Sequence, residues 1–84
     1  MEIRYGGVTV GIMSQAGKCL DDLYIHWDYQ NKGFGTRLLQ YGRDLAGPGA
    51  YMDVPADHAA LRHICEKLGF SEIDGAEVGF VRCV

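Results

Sequence analysis

Nowhere does the chain hold an apolar run close to the roughly 20 residues a helix needs to cross a bilayer, which excludes a helical membrane span. It opens without the basic, apolar and small-residue succession of a secretion signal, so a cytoplasmic location is expected. Positive charge is also in short supply. Eight Lys and Arg stand against eleven Asp and Glu, for a net charge of −3 and a pI near 5.4. The basic residues are scattered and form no stripe, which disfavours nucleic acid as a partner. Mild acidity suits a cationic small molecule, but only weakly. The three cysteines, Cys19, Cys65 and Cys83, are odd in number and form no CxxC pair, as expected of reduced thiols and not of a disulfide framework. The histidines, His26, His58 and His63, show no HExxH or related spacing, so no metal site is expected.

What the chain does have is enough apolar content for one core, 48% of its 84 residues. That length suffices for a single small domain over residues 1–84. A chain this short buries only about 60–65% of its unfolded surface, so pairing into a homodimer would add stability.

Ile3 to Tyr5 is short and β-prone, Gly6-Gly7 supplies the positive φ of a tight turn, and Val8 to Met13 reads as the partner strand. After a second turn over Ser14 to Lys18, Leu20 to Trp27 suits a central strand. From Thr36 to Ala46 the period changes: Phe34, Leu38, Tyr41 and Leu45 recur at spacings of three and four, the pattern of an amphipathic helix ended by Gly47-Pro48-Gly49. Ala50 to Val54 reads as a strand closed by Pro55. Asp57 can cap a second helix with Leu61, Ile64 and Leu68 as its buried stripe, and Gly69-Phe70 reads as its Schellman ending. Asp74-Gly75 then turns Ser71–Ile73 back into Glu77–Val84. The order β-β-β-α-β-α-β-β predicts an α/β fold, a mixed β-sheet with helices packed on it.

The segment Gln30-Asn31-Lys32-Gly33-Phe34-Gly35-Thr36, between the central strand and the first helix, carries the most chemistry. Two glycines one residue apart let backbone amides approach an anion, and the helix N-terminus adds free N–H groups and partial positive charge. An isolated GxG more often only turns the chain. A dinucleotide fingerprint would need glycine where Leu38 stands, and a P-loop would need a lysine between Gly35 and Thr36. A pyrophosphate, and so a nucleotide-containing ligand, is the anion this loop suits.

In its surroundings the loop resembles motif A of the GNAT N-acetyltransferase superfamily: strand Leu23 to Trp27, then Gln30-x-x-Gly33-x-Gly35, then a helix. Leu61 to Phe70, ending Glu66-Lys67-Leu68-Gly69-Phe70, resembles motif B of the same family. The resemblance implies a GNAT-like fold that binds acetyl-CoA. In this family the backbone of Leu23, Tyr24 and Ile25 would pair with the pantetheine arm, and the amides of Asn31, Lys32, Gly33, Phe34, Gly35 and Thr36 would hold the pyrophosphate, with Gln30 opening the motif. Members commonly transfer acetyl directly to an amine, using a base and an acid. Asp53 takes the position of a carboxylate base found in some relatives, and His58 replaces a CoA-contacting Asn five residues later. Cys65 stands where the family often has an acidic Tyr. Asp21 and Asp22 are alternative bases. The resemblance covers Val8 to Val84, a short form lacking the N-terminal strand and two helices that generally shape the acceptor site. It implies a minimal acetyl-CoA-dependent N-acetyltransferase of unknown acceptor. The alternatives are a CoA-binding module without catalysis and a degenerate remnant serving as an interaction domain.

Overall fold

The computed structural model describes all residues, Met1–Val84. The elements are β1 (Glu2–Tyr5), β2 (Val8–Ala16), β3 (Cys19–Ile25), a 3-10 turn (Trp27–Tyr29), α1 (Phe34–Ala46), β4 (Tyr51–Pro55), α2 (Ala59–Lys67), β5 (Glu72–Ile73) and β6 (Phe80–Cys83). The order is the expected one. The six strands form one mixed sheet in the order β1-β2-β3-β4-β6-β5, with β3 and β4 parallel and every other pair antiparallel. No helix is long and apolar enough to cross a membrane.

Tight turns set the first half. Gly6 and Gly7 adopt φ of 60° and 80°, matching the twist of a two-residue hairpin closed by the Tyr5–Val8 pair. The second hairpin is tighter than expected. β2 runs on to Ala16, which pairs with Cys19, so only Gly17-Lys18 turns. β3 stops at Ile25, short of the predicted Trp27, because His26 Nδ1 accepts the Asp28 N–H and winds the chain into the 3-10 turn. The expected turn at Asp74-Gly75 is instead a six-residue connection between Ile73 and Phe80, where Phe80 N–H bonds back to Glu77 O.

The helices depart from the predicted stripes. α1 starts two residues early, at Phe34, behind a Gly33 N-cap at φ 85°. Its buried face is Phe34, Gly35, Leu38, Leu39, Gly42 and Ala46, while Tyr41 and Leu45 point to solvent. The small residues rotate the helix onto the sheet: a Cβ on Gly42 would lie 2.1 Å from Met13 Cε. α2 is capped by His58, not Asp57, with His58 Nδ1 accepting from Leu61 N–H at 3.2 Å. The Schellman ending is present, with Phe70 N–H on Cys65 O and Gly69 N–H on Glu66 O. Both helices and strands β2, β3, β4 and β6 contribute to one core cluster, in which Leu20, Leu39, Met52, Val54, Cys65 and Cys83 are closed to solvent. Leu61, Ile64 and Leu68 only flank that cluster.

Candidate functional site

β3 and β4 hydrogen-bond only at their beginnings, through the pairs Cys19–Tyr51 and Leu20–Met52. Beyond Leu20 they diverge. Leu23, Tyr24 and Ile25 are thereby left without a β4 neighbour, although β2 still pairs with Tyr24 and Ile25 on the other side. A bulge assists the divergence. The β2–β3 register shifts between Ile12 and Ser14, and Asp22 takes a left-handed φ of 53°. The Asp22 N–H bonds to Asp21 Oδ1, and Ser14 Oγ donates to Asp22 Oδ2.

The opening so made is a groove of about 500 Å³. Leu23, Tyr24 and Ile25 form one side, the loop residues Gln30, Asn31, Gly33, Gly35 and Thr36 the end, and α2 the opposite wall through His58, Leu61 and Ile64. Nine of the eleven predicted ligand-contacting residues therefore line a single cavity. The other two do not face it. Lys32 lies outside the lining, and the Phe34 side chain is buried against Tyr5 and Tyr29, at ring separations of 5.7 and 6.1 Å, where it anchors the loop.

The loop is built to present amides. Asn31 and Gly33 both take positive φ, 61° and 85°, around Lys32, a backbone path that turns successive N–H groups to one side. No side chain caps α1, so the N–H groups of its first turn remain available. A Cβ on Gly33 would meet nothing within 4 Å, so open space lies above the loop. One on Gly35 would lie 3.3 Å from Ile64 Cδ1 and 3.6 Å from Ile25 Cγ1, which is why the groove floor needs a small residue there. Gln30 has a bracing role: its amide donates to Ile25 O at 3.1 Å, tying the loop to the end of β3.

The two residues predicted to move protons stand apart from the groove. Arg82 on β6 clamps Asp53 with two hydrogen bonds of 2.8 and 3.0 Å and lies over the Tyr51 ring at 4.7 Å. That guanidinium holds the Asp53 carboxyl below the usual carboxylate range, opposite to the rise a neutral-pH base requires. Cys65 is 1% exposed, and desolvation, with the adjacent Cys83, pushes its thiol up to about 12. It belongs to the core. Asp21 and Asp22 lie at the bulge and not in the groove lining.

The groove also takes in residues not expected from the sequence to line it: Tyr29, and the Ala60, Leu61, His63, Ile64 and Lys67 face of α2. Of that face, Leu61 and Ile64 have the spacing of an apolar stripe, which periodicity assigns to the core, and Ala60, His63 and Lys67 carry no such signal. No group of three or more His, Cys, Asp and Glu side chains is arranged to hold a metal ion.

Residues 2–72 match the family model described as the acetyltransferase (GNAT) domain. No curated protein is a match. Among solved structures, the fold is similar to the apo form of YjaB from Escherichia coli, with a TM-score of 0.71 and 21% identity over 96% of this chain and 58% of that one. It is also similar to a protein from Agrobacterium tumefaciens provisionally assigned as an acetyltransferase, with a TM-score of 0.62 and 22% identity over 99% of this chain and 68% of that one. These likenesses carry the fold, and the chain spans little more than half the length of YjaB. With the match over residues 2–72, the parted β3 and β4 and the uncapped glycine loop between them, the chain belongs to the GNAT acetyltransferase family.

Proposed function

We propose that this chain is an acetyl-CoA-dependent N-acetyltransferase domain acting on an amine. The observation that carries the reading is the convergence of a free β3 edge and an uncapped helix N-terminus in one groove. An extended amide-containing arm can pair with a strand edge, and a pyrophosphate suits a helix N-terminus. The residues present fit acetyl-CoA in both respects. Leu23, Tyr24 and Ile25 would bind the pantetheine arm, the amides from Asn31 to Thr36 would hold the pyrophosphate, and His58 on α2 would close the other wall. The bound donor supplies a thioester-activated acetyl group.

His58 is set for a defined role. Its Nδ1 accepts the Leu61 N–H, so the neutral ring carries its proton on Nε2 and offers one donor. The chain's own part is to bind the arm, orient it along β3, and keep water from the apolar stretch lined by Leu23, Ile25, Leu61 and Ile64. A second reading, a CoA-binding module without catalysis, is favoured by one observation: neither Asp53 nor Cys65 enters the groove. Incubation with acetyl-CoA and a panel of primary amines, following thiol release colorimetrically, separates the two. The transferase reading predicts amine-dependent release. Binding of acetyl-CoA with no release above the buffer rate on any amine would favour the module.

A further inference from the structure

Five of the eight cationic side chains are engaged within the fold. Arg4 meets Glu2 and Gly7 O, Lys18 donates to Ala46 O, Arg43 donates to Leu68 O, Arg62 clamps Glu72 and Arg82 clamps Asp53. The three with neither an ion-pair nor a side-chain hydrogen-bond partner, Lys32, Arg37 and Lys67, sit on the loop, in the first turn of α1 and in the last turn of α2. In a molecule of net charge −3, the cationic side chains left without any partner in the fold are thus gathered on the elements that bound the groove. Of these three, only Lys67 lines the cavity itself. His63 lies four residues earlier on the same face of α2 and lines it too. The loop amides and this His63–Lys67 edge belong to different elements, so an anion held at the start of α1 leaves the α2 pair free for another.

We propose that His63 and Lys67 form a second anion subsite that reads a phosphate other than the pyrophosphate. With the donor reading above, on which this rests, that group is the 3′-phosphate on the ribose of CoA. The subsite makes the domain selective for CoA over donors with the same arm and pyrophosphate but no ribose phosphate. Lys67 is exposed and acts as a flexible point charge, so its effect is modest and salt-sensitive.

Calorimetric titration of CoA and of 3′-dephospho-CoA into the wild-type chain and Lys67→Gln tests this. The wild type is expected to bind CoA at least about fivefold more tightly at low salt, the size of one or two exposed charge contacts. Lys67→Gln should lower CoA affinity, leave dephospho-CoA affinity unchanged and so close the gap. His63→Gln should narrow it. Both positions are exposed, and a melting curve for each variant checks that the fold is kept. Equal wild-type affinities, an unchanged gap in Lys67→Gln, or equal weakening toward both nucleotides would each overturn the subsite while leaving the donor reading intact. Failure of both nucleotides to bind the wild type would overturn the two together.

Discussion

Asp53 and Arg82 face one another across β4 and β6, and their pairing decides what Asp53 can do. A carboxylate clamped by two guanidinium hydrogen bonds favours its charged form, so it is a weak proton acceptor and a useful structural tie. Arg62 and Glu72 repeat the device between α2 and β5. Both acids are held below their ordinary range by their arginines. Their contribution is therefore complete above the unfolded values of about 4 and shrinks as pH falls through the lowered folded values. Arg82→Met should lower the melting temperature at pH 7 and lower it less at pH 2.5, where protonation of Asp53 competes with the clamp. An equal loss at both pH values would show that Arg82 acts by packing alone. The thiols divide similarly. Cys65 and Cys83 are buried and shifted upward, whereas Cys19 is half-exposed. Titration with a chromogenic disulfide should find one reactive thiol in the native chain and three in denaturant.

Two elements, the β3–α1 loop and α2, make the groove, and they fail differently when altered. Gly33 is at φ 85°, where an alanine is strained by about 1 kcal/mol, so Gly33→Ala should lower urea stability by about that amount and weaken acetyl-CoA binding. Gly35 is limited by space, lying between Ile25 and Ile64. Gly35→Ala should keep binding, and Gly35→Val, whose branched methyls have nowhere to go, should lose it. A valine variant that binds normally would mean the groove floor is not where the donor lies. The sequence was legible where local chemistry decides: paired glycines at turns, the Gly69 ending of α2, the GxG loop. It was illegible where partners come from distant strands. Arg82 lies 29 residues from Asp53, and only the β4–β6 register brings them together. The true α1 face is hidden in the sequence because Gly42 and Ala46 look like weak core residues, whereas in the fold Met13 packs over Gly42. Likewise Leu61 and Ile64 of α2 read as core in the sequence because periodicity alone does not distinguish a core from a groove.

At the scale of the molecule, a single core holds both helices against the sheet, and the parting of β3 and β4 opens beside it. Fold and groove are therefore coupled. A donor bound in the groove touches α2, β3 and the loop at once, and should raise the melting temperature in proportion to the logarithm of its concentration above Kd. In the proposed complex the free β3 edge and the loop amides together hold acetyl-CoA. Backbone amide NMR during acetyl-CoA titration tests this arrangement most directly, because it reports the groups said to bind. Saturable shifts are expected at Leu23 to Ile25, Asn31 to Thr36 and His58 to Lys67, with β1 and β5 unmoved. No shift at millimolar acetyl-CoA, or shifts confined to residues outside the groove, would contradict it.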